Sequence, residues 1–289
     1  MLAPLLPPGR HLDLPGRGTT FIRELEGPPG APTVFLLHGL SGGADLNWFP
    51  AFDVLARHFR VVAIDHRGHG QGIRSKEPFR LEDCADDAVA VMDQLGIDRV
   101  IAVGYSMGGP IAQLMWHRHR RRVSGLVLCA TSRNFRGHPR DRIMFTTVPI
   151  ASLTARIPGF QLMRNAVESA ILPRFAPDWL KRWTQVELRR HDAAALAQAT
   201  QALGRYSSHS WIRAVDVPTS VIVCTDDQLV PPRRQEKLAQ SIPGARRYAV
   251  DCDHFAITKE PEVFVPVLVD ACLTVAGMAP VLRATSVAS

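Results

Sequence analysis

Residues 100–110 read Val100-Ile101-Ala102-Val103-Gly104-Tyr105-Ser106-Met107-Gly108-Gly109-Pro110. Four apolar residues predict a buried strand, and the Ile111–His119 stretch has the spacing of a helix. Between them Gly104-Tyr105-Ser106-Met107-Gly108 has the form G-x-S-x-G. That pentapeptide, set between strand and helix, places a serine on a tight turn. Glycines on either side let neighbouring backbone approach, and the helix N-terminus directs amides at a reacting carbonyl. The reading is a nucleophile elbow with Ser106 as nucleophile.

A serine hydroxyl is a weak nucleophile and needs a base and an orienting acid, which follow it in the order acid, then histidine. Of 11 histidines only His254 lies beyond residue 209. It follows an apolar run ending at Val250, and it is the expected base. The acid is expected just after the run Thr219–Cys224, where Asp226 and Asp227 stand together. Asp227 is preferred because it opens Asp227-Gln228-Leu229-Val230-Pro231, and Asp226 is the alternative. The Gly-rich loop His38-Gly39-Leu40-Ser41-Gly42-Gly43 follows the apolar run Thr33–Leu37. Its Leu40 amide, with that of Met107, is the expected oxyanion hole. Losing one such donor costs about 3–4 kcal/mol of transition-state stabilisation. Gly39, Trp48, Tyr105 and Phe145 are the expected substrate contacts. His38 is read as a structural histidine.

Working outward, the chain alternates strand and helix on both sides of a different segment. Val61–Ile64 and Leu126–Leu128 read as further buried strands, Asn47–His58 and Leu81–Leu95 as helices, and His11–Leu25 as a hairpin. After residue 131 the alternation stops. Gln161–Ala170, Trp179–Leu188 and Ala193–Leu203 read as helices, punctuated by prolines. Alternation resumes with Thr219–Cys224, Arg233–Ser241, Arg247–Val250 and Pro261–Val275. The expected organisation is an α/β core over 1–131 and 216–278, a helical insertion over 132–215 and a flexible tail over 279–289. The insertion's Phe135, Met144, Phe145, Phe160, Met163, Trp179 and Trp183 are read either as an acyl pocket or as helix-packing core.

Composition narrows the function. Hydrophobic residues make up 46% and charged residues 21% of 289, a globular balance that excludes a largely disordered chain. The net charge is +7. Residues 131–215 carry 13 Arg or Lys against 5 Asp or Glu, so the excess lies in the insertion. A solvated helical face accounts for it, with weak contact to an anionic surface as the sharper alternative. No nucleic-acid motif accompanies it. Five cysteines without C-x-x-C spacing predict reduced thiols and a cytoplasmic location. Met1–Arg10 lacks the basic start of a signal peptide, and no apolar run approaches the ~18 residues of a membrane span. The H-x-x-H of His66 and His69 lies between strand and helix and is read as a loop, not a metal site. No metal and no cofactor are expected.

Taken together, His38-Gly39, Asp65-x-Arg67-Gly68-x-Gly70, the elbow with Gly109, Asp227-x-x-Val230-Pro231 and His254 resemble the α/β-hydrolase superfamily over nearly the whole chain. Ala44–Trp48 and Tyr105–Pro110 resemble its bacterial esterase and lipase-like members. The resemblance implies a mostly parallel sheet of about eight strands, a helical cap inserted after strand six, and cofactor-free hydrolysis of a small-molecule carboxylic ester. C–C bond hydrolysis, thioester hydrolysis, acyl transfer and perhydrolysis use the same residues and remain alternatives, as does a ligand-binding protein on a hydrolase scaffold. Dehalogenases and epoxide hydrolases of this fold carry Asp where this chain has Ser106, which argues against both. One departure stands out. Many members have Gly before the histidine, and this chain has Asp253.

Overall fold

The computed structural model describes residues 4–135, 169, 172–173 and 176–279. An eight-stranded sheet runs β1 (Gly9–Leu14), β2 (Gly18–Leu25), β4 (Arg60–Ile64), β3 (Thr33–Leu37), β5 (Val100–Tyr105), β6 (Val123–Cys129), β7 (Thr219–Cys224) and β8 (Arg246–Val250) in spatial order. β1 and β2 form the expected antiparallel hairpin, and β2 is antiparallel to β4. All other pairs are parallel. The central strands β3, β5 and β7 are buried along their whole length, because helices cover both faces. This is the α/β-hydrolase fold.

On one face lie α3 (Leu81–Gln94), α4 (Gly108–Arg118) and α7 (Pro232–Ser241). On the other lie α1 (Ala44–Trp48), α2 (Phe52–Ala56) and α9 (Pro261–Val275). A short helix, α8 (Ala256–Lys259), precedes α9. The single helix expected over Asn47–His58 is in fact two. Phe49 still has helical backbone, but Pro50 has no amide to continue the helical ladder, so the chain turns over residues 49–51 before α2 starts.

Between β6 and β7 the described part of the insertion is α5 (Asp178–Arg189), α6 (Ala193–Arg205) and an isolated bridge between Asn134 and Ser207. Leu180, Trp183 and Leu188 of α5 pack with Leu46 of α1, and the rings of Phe49 and Trp183 meet edge-on at 5.3 Å. Phe135 and Trp183 are buried in clusters, and Trp179 is half-buried. The helix expected over Gln161–Ala170, apart from Ser169, together with Met144, Phe145, Phe160, Met163 and residues 280–289 of the expected tail, lies outside the described residues.

β5 must pass directly beneath the first turn of α4, and the glycines of the elbow permit it. A Cβ on Gly104 would lie 2.2 Å from the Gly108 carbonyl oxygen, and one on Gly108 would lie 2.0 Å from that of Leu37. Both obstacles are backbone, which cannot swing aside. Gly104→Ala is expected to lower the unfolding free energy by about 1–3 kcal/mol, measured by urea titration. An unchanged midpoint would show that strand and helix can separate freely.

Candidate active site

Ser106 stands between β5 and α4 with a φ of +50°. Left-handed backbone is unfavourable for a residue with a Cβ. Three hydrogen bonds hold it there: the Ser106 amide donates to the Cys129 carbonyl at 2.9 Å, and its carbonyl accepts from the Gly109 amide and the Thr131 hydroxyl at 3.0 and 2.7 Å. The turn lifts the hydroxyl out of the sheet into a pocket lined by Gly39–Gly42, Leu46, Asn47, Tyr105, His254, Phe255, Ile257 and Thr258.

His254 follows β8 and brings its Nε2 to 3.0 Å from Ser106 Oγ. Its Nδ1 lies 2.7 Å from Asp227 Oδ2. A carboxylate only accepts, so Nδ1 carries the proton and Nε2 is left to accept from the serine hydroxyl. Asp227 is 1% exposed, yet its carboxylate is fully partnered. Oδ1 accepts from the amides of Leu229 and Val230 at 2.8 and 2.7 Å, and Oδ2 accepts from Gln235 Nε2 at 2.9 Å as well as from His254. The D-x-x-V-P pattern thus has a physical basis, since the aspartate folds the turn that holds it. Asp226, the alternative acid, is exposed, and its amide donates to the Cys252 carbonyl.

Asp253 works locally. Its Oδ1 accepts from the Phe255 amide at 2.7 Å, and its Oδ2 pairs with Lys259. It braces the turn into α8 and leaves the imidazole to Asp227. Tyr105 reaches the same loop from β5, its hydroxyl donating to the His254 carbonyl at 2.7 Å.

The Gly39 carbonyl accepts from His38 Nδ1 at 2.8 Å and from the Gly42 amide at 3.1 Å. In a planar trans peptide the following N–H points the opposite way, so clamping that carbonyl aims the Leu40 amide. The Met107 amide sits at the N-terminus of α4, where no preceding turn can accept it. Among the described residues neither amide has a backbone partner.

Of the expected substrate contacts, Gly39 and Tyr105 line the pocket. Trp48 does not. It is fully buried on the core side of α1, edge-on to Tyr105 at 6.2 Å, while its neighbours Leu46 and Asn47 face the pocket. Phe145 lies outside the described residues. Sequence reasoning did not find Asn47, Gln235 or Thr131.

Behind the loop that follows β3 the rings of four histidines meet in a chain, tilted or edge-on, with His38, His66 and His69 buried and His191 half-buried. Ring centroids are 4.2 Å apart for His38 and His66, 5.2 Å for His38 and His69, and 5.6 Å for His69 and His191. His38 Nε2 accepts from the His66 amide, and His191 Nδ1 accepts from the Gly70 amide. The chain ties the β3 loop to the β4 loop and to the turn between α5 and α6. Among the described residues no cluster has the geometry to hold a metal ion. Burial pushes His38, His66 and His69 well below the ordinary imidazole range. Burial, aided by Arg74 and opposed by the Ser41 backbone, brings His191 down to about 4. Burial acts the opposite way on nearby Asp65, which accepts from the Ala44 and Gln71 amides and is pushed up to about 6.

A family model described as alpha/beta hydrolase fold matches residues 32–261. The chain belongs to the α/β-hydrolase fold family. A relative from Caulobacter vibrioides named "Putative carbamate hydrolase RutD" is 30% identical over 260 residues, covering 85% of this chain and 93% of the relative. The enol-lactonase from Burkholderia xenovorans LB400 superposes with a TM-score of 0.76 at 26% identity, over 90% of this chain and 98% of that one. A hydrolase from Pseudomonas aeruginosa PA01 gives a TM-score of 0.80 at 23% identity, over 93% of this chain and 98% of that one, a likeness of fold.

In this α/β hydrolase the folded His191 resists protonation that the unfolded chain accepts near pH 6.5. Its contribution is therefore neutral above that pH, and stability is lost as pH falls toward 4. His191→Gln, which keeps an acceptor for Gly70, is expected to gain about 2 kcal/mol relative to the wild type between pH 6.5 and pH 5. Denaturant unfolding at the two pH values checks it, and parallel losses in both proteins would contradict it.

Proposed function

We propose that this hydrolase cleaves a carboxylic ester through an acyl-enzyme intermediate. The observation that carries the reading is the in-line hydrogen-bonded arrangement of Ser106, His254 and fully partnered Asp227 at 3.0 and 2.7 Å. As Ser106 Oγ attacks the carbonyl carbon, its proton passes to His254 Nε2. Asp227 holds the imidazole tautomer and stabilises the imidazolium. The Leu40 and Met107 amides receive the developing oxyanion. Collapse breaks the bond to the alcohol, which leaves with the proton from Nε2. Water then repeats the sequence on the acyl-enzyme, releasing the acid and restoring Ser106. No step calls for a cofactor.

Ester chemistry is favoured because the enol-lactonase from Burkholderia xenovorans, by its name, acts on a cyclic ester. We read residues 132–215 as a cap on the core spanning 1–131 and 216–278. In support, α5 packs on Leu46, Phe49 and Phe255, and Leu46 and Phe255 rim the pocket. Such a cap sets acyl-chain preference and limits water at the serine. We place the enzyme in the cytoplasm. All five cysteines are free and buried, which suits a reducing compartment, and no described helix is long and apolar enough to cross a membrane.

A p-nitrophenyl ester series from short to long acyl chains tests the reading. Turnover is expected to show a chain-length optimum, and Ser106→Ala and Asp227→Asn are each expected to lower kcat by about 10⁴-fold or more. Folded wild-type protein that turns over no ester, or turnover that survives Ser106→Ala, would contradict it.

A further inference from the structure

Neither Asp253, which stands where many α/β hydrolases have Gly, nor the Phe255 ring takes part in the proton transfers at Ser106. The two are joined. Asp253 Oδ1 accepts from the Phe255 amide at 2.7 Å, and its Oδ2 pairs with Lys259 at the end of α8. The Phe255 carbonyl accepts from the Thr258 hydroxyl and from the amides of Thr258 and Lys259, each at 3.0 Å. Both polar groups of the Phe255 backbone are therefore bound, and the root of its side chain is fixed. The residue is half-buried and lines the pocket. Its ring meets the His254 imidazole edge-on, with centroids 5.3 Å apart and planes at 87°. It also packs against the cluster that joins Leu46 to Leu180 and Trp183 of α5. One aromatic side chain thus touches the imidazole, the pocket and α5.

We propose that Phe255, pinned by Asp253, selects the leaving alcohol of the ester, favouring a primary alcohol that carries an aromatic ring. The inference rests on the ester-hydrolase reading. His254 Nε2 must deliver its proton to the leaving oxygen, which brings that oxygen within about 3 Å of Nε2. The carbons of the alcohol therefore begin beside the imidazole. The half-buried ring that borders the imidazole there is Phe255. The acyl chain starts instead from the carbon held between Ser106 and the Leu40 and Met107 amides. An aromatic alcohol meets the Phe255 ring offset or edge-on, the arrangements that the ring quadrupoles favour. A saturated ring of the same carbon number offers apolar area without that attraction. Because the backbone at Phe255 is bound before substrate arrives, binding does not have to order it.

Benzyl butanoate and cyclohexylmethyl butanoate test this. Each kcat/KM is divided by the rate of hydroxide hydrolysis, so that the difference in leaving ability is removed. The wild type is expected to favour the benzyl ester by about fivefold. Phe255→Leu keeps an apolar side chain without a ring and is expected to bring the ratio to about one. Phe255→Met serves if the leucine variant does not fold. Asp253→Ala removes the acceptor of the Phe255 amide and is expected to lower the ratio, whereas Asp253→Asn keeps an oxygen there and is expected to retain it. Across p-nitrophenyl acetate, butanoate and hexanoate, which share one alcohol, the relative kcat/KM values are expected to agree between Phe255→Leu and the wild type to within about twofold. A wild-type ratio near one would overturn the proposal, as would a preference that survives in folded Phe255→Leu. So would an altered acyl-chain profile with the alcohol preference intact, or turnover of the p-nitrophenyl esters with neither butanoate of the pair cleaved. An unchanged ratio in Asp253→Ala would overturn the role given to Asp253. Absence of Ser106-dependent turnover of any of these esters would instead overturn the ester reading, and this inference with it.

Discussion

A serine at φ +50° at the end of β5 is the constraint around which the site is arranged. Left-handed backbone costs a residue with a Cβ about 1–2 kcal/mol. The conformation persists because both polar groups of the Ser106 backbone are bound by the neighbouring strand end, through Cys129 and Thr131. The turn is tight enough that helix α4 starts two residues later, at Gly108, directly against the carbonyl of Leu37. One strained residue thus sets three things together. It lifts the hydroxyl out of the sheet, exposes the Met107 amide, and brings the β3 loop alongside.

The rest of the site is a set of loops fastened to one another. Asp227 folds its own turn, and Gln235 links that turn to the amide of Cys224 in β7. The His254 loop is held by Tyr105 from below and by Asp253 from within. The turn at Gly39 after β3 is pinned by His38 on its carbonyl side and by Asn47 on its amide side. The histidine chain carries the fastening outward to His191, in the turn between α5 and α6. Geometry of this kind is preorganised, and preorganised dipoles are what stabilise a developing oxyanion.

The alternation of apolar runs and helical spacing was enough to read the sheet, the helical segment between β6 and β7, and the elbow. Thr219–Cys224 and Pro261–Val275 have the bounds that patterning predicted. Parallel strands buried on both faces leave long apolar runs, and such runs are easy to read. Chain order and one late histidine singled out Ser106 and His254, and a turn motif Asp227, three side chains that the fold brings within hydrogen-bond distance. What patterning could not reach was direction. Trp48 and Asn47 are adjacent on a five-residue helix, and only packing decides that the indole enters the core while the carboxamide meets the pocket. The break at Phe49-Pro50 was readable in principle from the proline, but the apolar spacing through Phe52 and Leu55 masked it. Gln235 and Thr131 act through contacts made only when distant turns meet. The histidine chain joins residues 38, 66, 69 and 191, separations that carry no local signal.

The central claim is that His254 and Asp227 make the Ser106 hydroxyl nucleophilic in the folded protein. Labelling with a fluorophosphonate, followed by peptide mass mapping, tests it most directly. The account predicts one label per chain, on Ser106, with labelling abolished in folded His254→Ala. An unlabelled wild type, a label on another residue, or equal labelling without His254 would contradict it.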